Sequence, residues 1–174
     1  MVKCAQGFTL LELIVVIAII AILAAVGFPQ LNVYRAEAAQ KEAATRVFSA
    51  LRLARSSAVS HNREYRVAFD LDSQRYWLEQ GDAANNSSSW NSVKTLGQFS
   101  VGLIMATKAD CSHTIGDGSS LTADNHIHFN PNGTCGSSGF ANSRYVCVLD
   151  TAGGAKYRSG VPLTRLGRVK IDRL

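Results

Sequence analysis

Proline, cysteine and methionine are all scarce in this 174-residue chain, which holds 3 Pro, 4 Cys and 2 Met. So few prolines exclude a Pro-rich or collagen-like fibre, and four cysteines are too few for a disulfide-dense mini-scaffold. Charged residues make up 18% of the chain, below the usual ~25%, yet 47% is hydrophobic, so global disorder is excluded. Catalytic signatures are missing too. Ser, His and Asp are scattered without a Gly-x-Ser-x-Gly elbow, and no phosphate-binding glycine loop is present. Gly116-Asp117-Gly118 and Gly153-Gly154 fit turns. An enzyme is not expected, and no cofactor is implied. There is no internal repeat, and the length suits one globular domain with an appendage.

The appendage is at the start. From Phe8 to Phe28, 18 of 21 residues are hydrophobic, the exceptions being Thr9, Glu12 and Gly27. As a helix this stretch reaches ~32 Å, about the thickness of a bilayer's hydrocarbon core. A cleaved secretory signal is the competing reading, because Ile22-Leu23-Ala24 imitates a small-residue cleavage site. A buried core helix is a third, though the most apolar segment rarely sits at a terminus behind a short polar leader. Glu12 separates these readings. A carboxylate in hydrocarbon costs ~2.5–3.5 kcal/mol on insertion scales and marks a functional position. If the leader is cut after Gly7, the new amine falls on Phe8, four residues before Glu12 and one helical turn away. That amine would neutralise Glu12 within one chain or between neighbours stacked along a filament.

Gly7-Phe8-Thr9-Leu10-Leu11-Glu12, with its polar leader and the Leu/Ile/Val/Ala run behind it, resembles the class III signal of type IV pilins and pseudopilins. The resemblance implies cleavage after Gly7 by a prepilin peptidase, N-methylation of Phe8, and pairing of Glu12 with a neighbour's amine. It also implies a helix kink at Pro29, where the missing N–H and the ring clash independently favour bending or local melting. Implied partners are other pilins or pseudopilins, the peptidase and an inner-membrane assembly platform. The implied location is a single pass through the inner membrane with a periplasmic head.

Beyond Pro29 the chain is Ala-rich and free of Gly and Pro from Gln30 to Ser60. Val33, Val47, Phe48, Leu51, Leu53, Ala54, Ala58 and Val59 recur near helical spacing among mixed charges, which predicts an inner face packed on a sheet. Beyond His61 the period becomes two. Tyr65, Val67, Phe69 and Leu71 alternate with polar residues, and Ser73-Gln74 turns the chain into Tyr76-Trp77-Leu78. A polar loop is expected over 80–92, a strand over Phe99–Met105, and another loop to about Asn125. Further strands are expected around Ile127/Phe129, Tyr145/Cys147/Leu149 and Val169/Ile171, with a turn at Asn130-Pro131-Asn132-Gly133. The fold class expected is α+β: a long N-terminal helix, membrane-spanning in its first half and amphipathic in its second, packed on a small antiparallel sheet. The expected organisation is leader 1–7, anchor helix 8–28, amphipathic helix 29–60 and head 61–174. The segment Leu51-Arg52-Leu53-Ala54-Arg55, the Phe-Asn-Pro-Asn-Gly turn, the Val-Cys-Val-Leu strand and the terminal Gly-Arg-Val-Lys-Ile occur in an order similar to GspH/FimT minor pilins and pseudopilins.

Removal of the leader takes Cys4 with it and leaves Cys111, Cys135 and Cys147 in an oxidising compartment. Cys111–Cys135, both in loops, is the favoured bridge, with Cys111–Cys147 and Cys135–Cys147 open. His126 and His128 share a strand face, and Cys111 and His113 are close in sequence, but no metal site is expected from spacing alone. The formal charge of the chain is +5, and residues 156–174 carry six basic side chains against Asp172, which is the entire excess. Alternation that sends Val169 and Ile171 inward sends Arg168 and Lys170 outward, flanked by Arg165 and Arg173. Some FimT-like minor pilins capture DNA for natural transformation through a C-terminal Gly-Arg-x-Arg motif. Here the motif reads Gly-Arg-Val-Lys, which keeps charge but loses bidentate phosphate geometry. DNA is therefore the partner in an alternative reading, against an edge strand protected by charge.

Overall fold

A computed structural model describes residues 9–70, 73–99, 103–106, 126–136, 145–150, 154–161 and 167–174, with backbone alone at 26–31, 104–106, 145, 150 and 155. Gly7, Phe8, Cys111, His113 and Arg165 lie outside the described residues. The chain divides into two compact units, Met1–Ala38 and Ala39–Leu174. One helix, α1, runs Leu10–His61. Its backbone is helical through position 29, so the local melting that Pro29 favours does not occur.

Among the described residues of the second unit, eight antiparallel strands follow α1. They are β1 Tyr65–Asp70, β2 Arg75–Gly81, β3 Trp90–Gln98, β4 Leu103–Ala106, β5 His126–Phe129, β6 Tyr145–Asp150, β7 Ala155–Gly160 and β8 Lys170–Arg173. They form two four-stranded sheets, β3-β2-β1-β5 and β4-β6-β7-β8. The helix supplies Ala43, Ala44, Val47, Leu51, Ala54 and Ala58, all buried, at the three-to-four-residue spacing of one face. Alanine dominates that stripe, which lets strands lie close to the helix axis. Val67, Phe69, Ile127 and Phe129 reach it from the first sheet, and Val146 and Val148 from the second. Ser159 of β7, fully buried, donates to Ala44 O at 2.6 Å, and Gln40 donates to Gly154 O at 3.2 Å. Polar ties to the second sheet thus complement apolar contact.

Four expectations are corrected. Residues 90–92 are not loop but the start of β3, whose Asn, Ser, Thr and Lys residues carry no apolar alternation because it is an edge strand with both faces largely exposed. Phe99 lies just outside β3, where it is buried and donates from N to Gln74 O; of the strand expected over Phe99–Met105, 103–105 belong to β4 and 100–102 lie outside the described residues. The strand β7 was not foreseen. Its Lys156 and Arg158 read as tail charge, and its strand character comes from pairing with β6 and β8. The fourth correction concerns the cysteines: Cys147 is disulfide-bonded, and Cys135 is a buried thiol outside any disulfide. Cys111–Cys135 is thereby overturned. The thiol of Cys135 packs in the core beside the bridge its backbone makes with Phe129. Cys135 is thus not the partner of Cys147, and Cys111 lies outside the described residues. Alkylation of the native, non-reduced chain after unfolding should therefore label Cys135 and spare Cys147. Peptide mapping that finds Cys147 alkylated would reverse the assignment.

The loop between β2 and β3 is held from beneath by Glu64, which is 3% exposed. Its carboxylate accepts from Asn86 N at 3.0 Å and Ser87 N at 2.7 Å, closing the loop onto the start of β1. Burial alone would raise this carboxyl, but the hydrogen bonds from Ser87 and Asn86, with His128 nearby, outweigh it and hold the group below its ordinary value. A lowered folded-state pKa adds stability that is complete above the unfolded carboxylate value and is lost as pH falls through the folded one. Glu64→Gln should cost about 1–2 kcal/mol at neutral pH. It should also flatten the fall in urea midpoint below pH ~4, where wild type loses this contribution.

Candidate functional site

The first candidate site is the helix start. Thr9 directly precedes α1. Its Oγ1 accepts from Glu12 N at 3.2 Å and its carbonyl accepts from Leu13 N at 3.3 Å. This is N-cap geometry, and Thr9-Leu10-Leu11-Glu12 has capping-box spacing. The role of Thr9 went unread in the sequence, although its three-residue offset from Glu12 is the usual signal. Glu12 itself lies in the first turn, where the helix dipole favours negative charge.

Behind Glu12 the helix is apolar on every side. Leu10 is 76% exposed, Ile17 55% and Leu23 67%, and every large residue from Leu13 to Leu23 is at least 47% exposed. A helix that is hydrophobic all round belongs inside a larger body, either lipid or protein. Among the described residues, no helical stretch is long and apolar enough to cross a membrane.

At the other end of α1, three distant segments converge. Arg55 donates from Nε to Gly133 O at 3.0 Å, reaching from the helix to the turn that follows β5. Gly133 closes that turn, donating from N to Asn130 O at 2.8 Å with φ +75°. Asn132 Oδ1 accepts from Thr134 N and Oγ1, which fixes the loop internally. Gly167, at φ +63°, lies so close that a Cβ there would stand 1.9 Å from Gly133 O. The helix segment around Arg55, the Asn-Pro-Asn-Gly turn and the Gly-Arg-Val-Lys start of the last strand therefore form one knot.

The basic C-terminal strand follows directly. Arg168, Lys170 and Arg173 are exposed, and Val169 packs on the core as expected. Ile171 is 39% exposed rather than buried, and β8 is the outer strand of its sheet. Within β8, alternation places Lys170 with Asp172 on one face and Ile171 with Arg173 on the other. Asp172 accepts from Arg158 at 3.4 Å on the neighbouring strand. The basic cluster expected from the sequence is thus divided between two faces and interrupted by an acid. The histidines are closer to expectation: His126 and His128 share a face, with ring centroids 6.1 Å apart. Among the described residues, no group of three His, Cys, Asp or Glu side chains is arranged to hold a metal ion.

Comparison with known proteins adds the following. Residues 2–28 match the prokaryotic N-terminal methylation motif, and residues 43–167 match the family described as type II transport protein GspH. A fimbrial protein of Pseudomonas aeruginosa is 45% identical over 62 residues, 36% of this chain. The chain spans only 40% of that relative's length. Two structures of the minor pseudopilin EpsH from the type II secretion system of Vibrio cholerae share the fold. One has a TM-score of 0.52 at 12% identity, covering 76% of this chain and 92% of EpsH. The other has a TM-score of 0.50 at 14% identity, covering 77% and 96%. A methylation motif that covers the capped start of the apolar helix, with a family match through the whole knot of Arg55, Gly133 and Gly167, leaves one assignment: the chain belongs to the type II transport protein GspH family.

Proposed function

We propose that the chain works as a minor pilin or pseudopilin subunit, held by its apolar helix in the inner membrane and drawn from there into a filament. One observation carries this reading: a helix apolar on all sides, broken only by Glu12 one turn from the position that cleavage after Gly7 would make the N-terminus. In lipid the apolar side chains meet hydrocarbon; in a filament they meet the helices of neighbours. Either surrounding gives the same transfer gain, so extraction from the bilayer costs little. Glu12 then sets axial register, because a buried carboxylate needs a cation and the Phe8 amine of a neighbour supplies one. The partners are other pilins or pseudopilins, the prepilin peptidase and the assembly platform, and the head stays on the periplasmic side. Capture of DNA by the C-terminal strand fits less well, since Asp172 interrupts the basic row and Arg173 leaves it.

Intact mass and N-terminal sequencing of the mature protein test the proposal. The expected result is a chain beginning at methylated Phe8. A chain beginning at Ala25 would replace the filament account with ordinary secretion.

A further inference from the structure

The face of the first sheet that turns away from α1 carries a groove of about 600 Å³, within the ~300–1,000 Å³ typical of small-ligand clefts. Its floor is built from alternate residues of neighbouring strands: Arg66 of β1, with His126 and His128 of β5. Its walls come from two loops, with Asn85, Asn86 and Ser88 on one side and Asn130 on the other. Trp90, at the start of β3, closes one end.

Three features define what such a groove would take. The first is charge. Arg66 is paired with Glu79, and Glu64 beneath the loop is engaged by the N–H groups of Asn86 and Ser87. Ser88 N donates to Asp82. The loop's amide donors are therefore occupied by the chain's own carboxylates, and the local formal charge is not positive while the histidines are neutral. A phosphate or nucleic acid would meet a guanidinium already paired with Glu79, above the buried carboxylate of Glu64. The second is ring surface. The Arg66 guanidinium stacks on Trp90 at 4.2 Å, and His128 lies 6.1 Å from the same indole at 51°. Trp90 is thus pinned before any ligand arrives, and His128 and His126 continue the ring wall along β5. The third is polar valence. The Asn85 and Asn86 carboxamides offer donors and acceptors side by side, and the Ser88 hydroxyl, which donates to Asp82, keeps acceptor valence, a mixture suited to groups that both donate and accept.

We propose that this groove is a binding site for a neutral saccharide, whose ring C–H faces lie against Trp90 and His128 and whose hydroxyls bond to Asn85, Asn86 and Ser88. None of the residues lining the groove belongs to α1. The full chain, held in a non-glycosidic detergent, is titrated with maltotriose, cellotriose and chitotriose at pH 8. Binding is read from tryptophan fluorescence and from calorimetry. Saturable binding of at least one sugar is expected, weakened about fivefold or more by Trp90→Ala, the range of a lost aromatic contact. Asn85→Ala, at an exposed loop position, should also weaken it while leaving the thermal midpoint unchanged. Absence of saturable binding to all three sugars overturns the proposal. So does binding that both variants leave intact, or competition by inorganic phosphate, which would mark an anion site.

Discussion

Glu12→Gln should reach the membrane at wild-type levels and yet enter filaments about 30-fold less, the equivalent of the ~2 kcal/mol carried by a charge-assisted hydrogen bond. The choice of Gln is deliberate. A capping box accepts Gln as well as Glu at its last position, so the Thr9 cap and the helix start survive. Size and helix propensity are nearly conserved. What disappears is the negative charge, which on the proposed function is what a neighbour's ammonium terminus pairs with. Insertion alone should not suffer, because a neutral amide is no harder to place in hydrocarbon than a carboxylate. Thr9→Ala supplies the converse control. It removes the cap, at about 1 kcal/mol, but leaves the charge, so incorporation should fall only slightly. The ratio of filament-associated to membrane-associated subunit, measured for both variants, decides the matter. Wild-type incorporation of Glu12→Gln would end the charge-pair account, and loss with Thr9→Ala alone would transfer the role to the cap.

What the sequence makes legible follows from where each pattern's cause resides. The apolar run and Glu12 are local facts of composition, and β1 and β5 alternate because one face of each meets α1, whereas β6 is buried on both faces from Val146 to Leu149 and its core-facing residues are Val146 and Val148, not Cys147 and Leu149. In contrast, β3 and β7 owe their form to their neighbours. An edge strand of Asn, Ser, Thr and Lys has no buried face to impose a period of two, and β7 hides a buried Ser159 where an apolar residue would have been the cue. Ile171 fails for a related reason: its alternation with Val169 is genuine, but the core ends before it. Loop position is a poor guide to the disulfide. Cys147 is fully buried in β6, on the sheet face opposite the Val146 and Val148 that contact the core, so burial in a strand did not exclude a bridge there. The groove of Trp90, Arg66 and His128 had only one visible trace, the His126/His128 pair, because its other members come from segments 24 to 62 residues away in sequence.

Gly167→Ala should destabilise the head by about 3 kcal/mol, lowering its thermal midpoint by about 10 °C. Two costs combine. At φ +63° any L side chain is strained by ~1–2 kcal/mol. The added Cβ would also stand 1.9 Å from Gly133 O and 3.2 Å from Thr134 Cα, which are backbone atoms that no rotamer change can move aside. Gly133 O is already the acceptor for Arg55, so displacing it also loosens the helix from the turn. Gly136→Ala separates steric cost from its location. Its Cβ would meet the His128 ring, a side chain that can rotate, so a smaller loss is expected there. If Gly167→Ala melts like wild type, the last strand does not depend on the turn, and the exposed Arg168 and Lys170 are free to take another path. If it melts early while Arg55→Lys costs little, the glycine contact rather than the guanidinium holds the C-terminal strand in register. The larger loss is expected from the glycine, because a guanidinium hydrogen bond to a carbonyl contributes only ~1.5–3 kcal/mol and a lysine ammonium retains part of it.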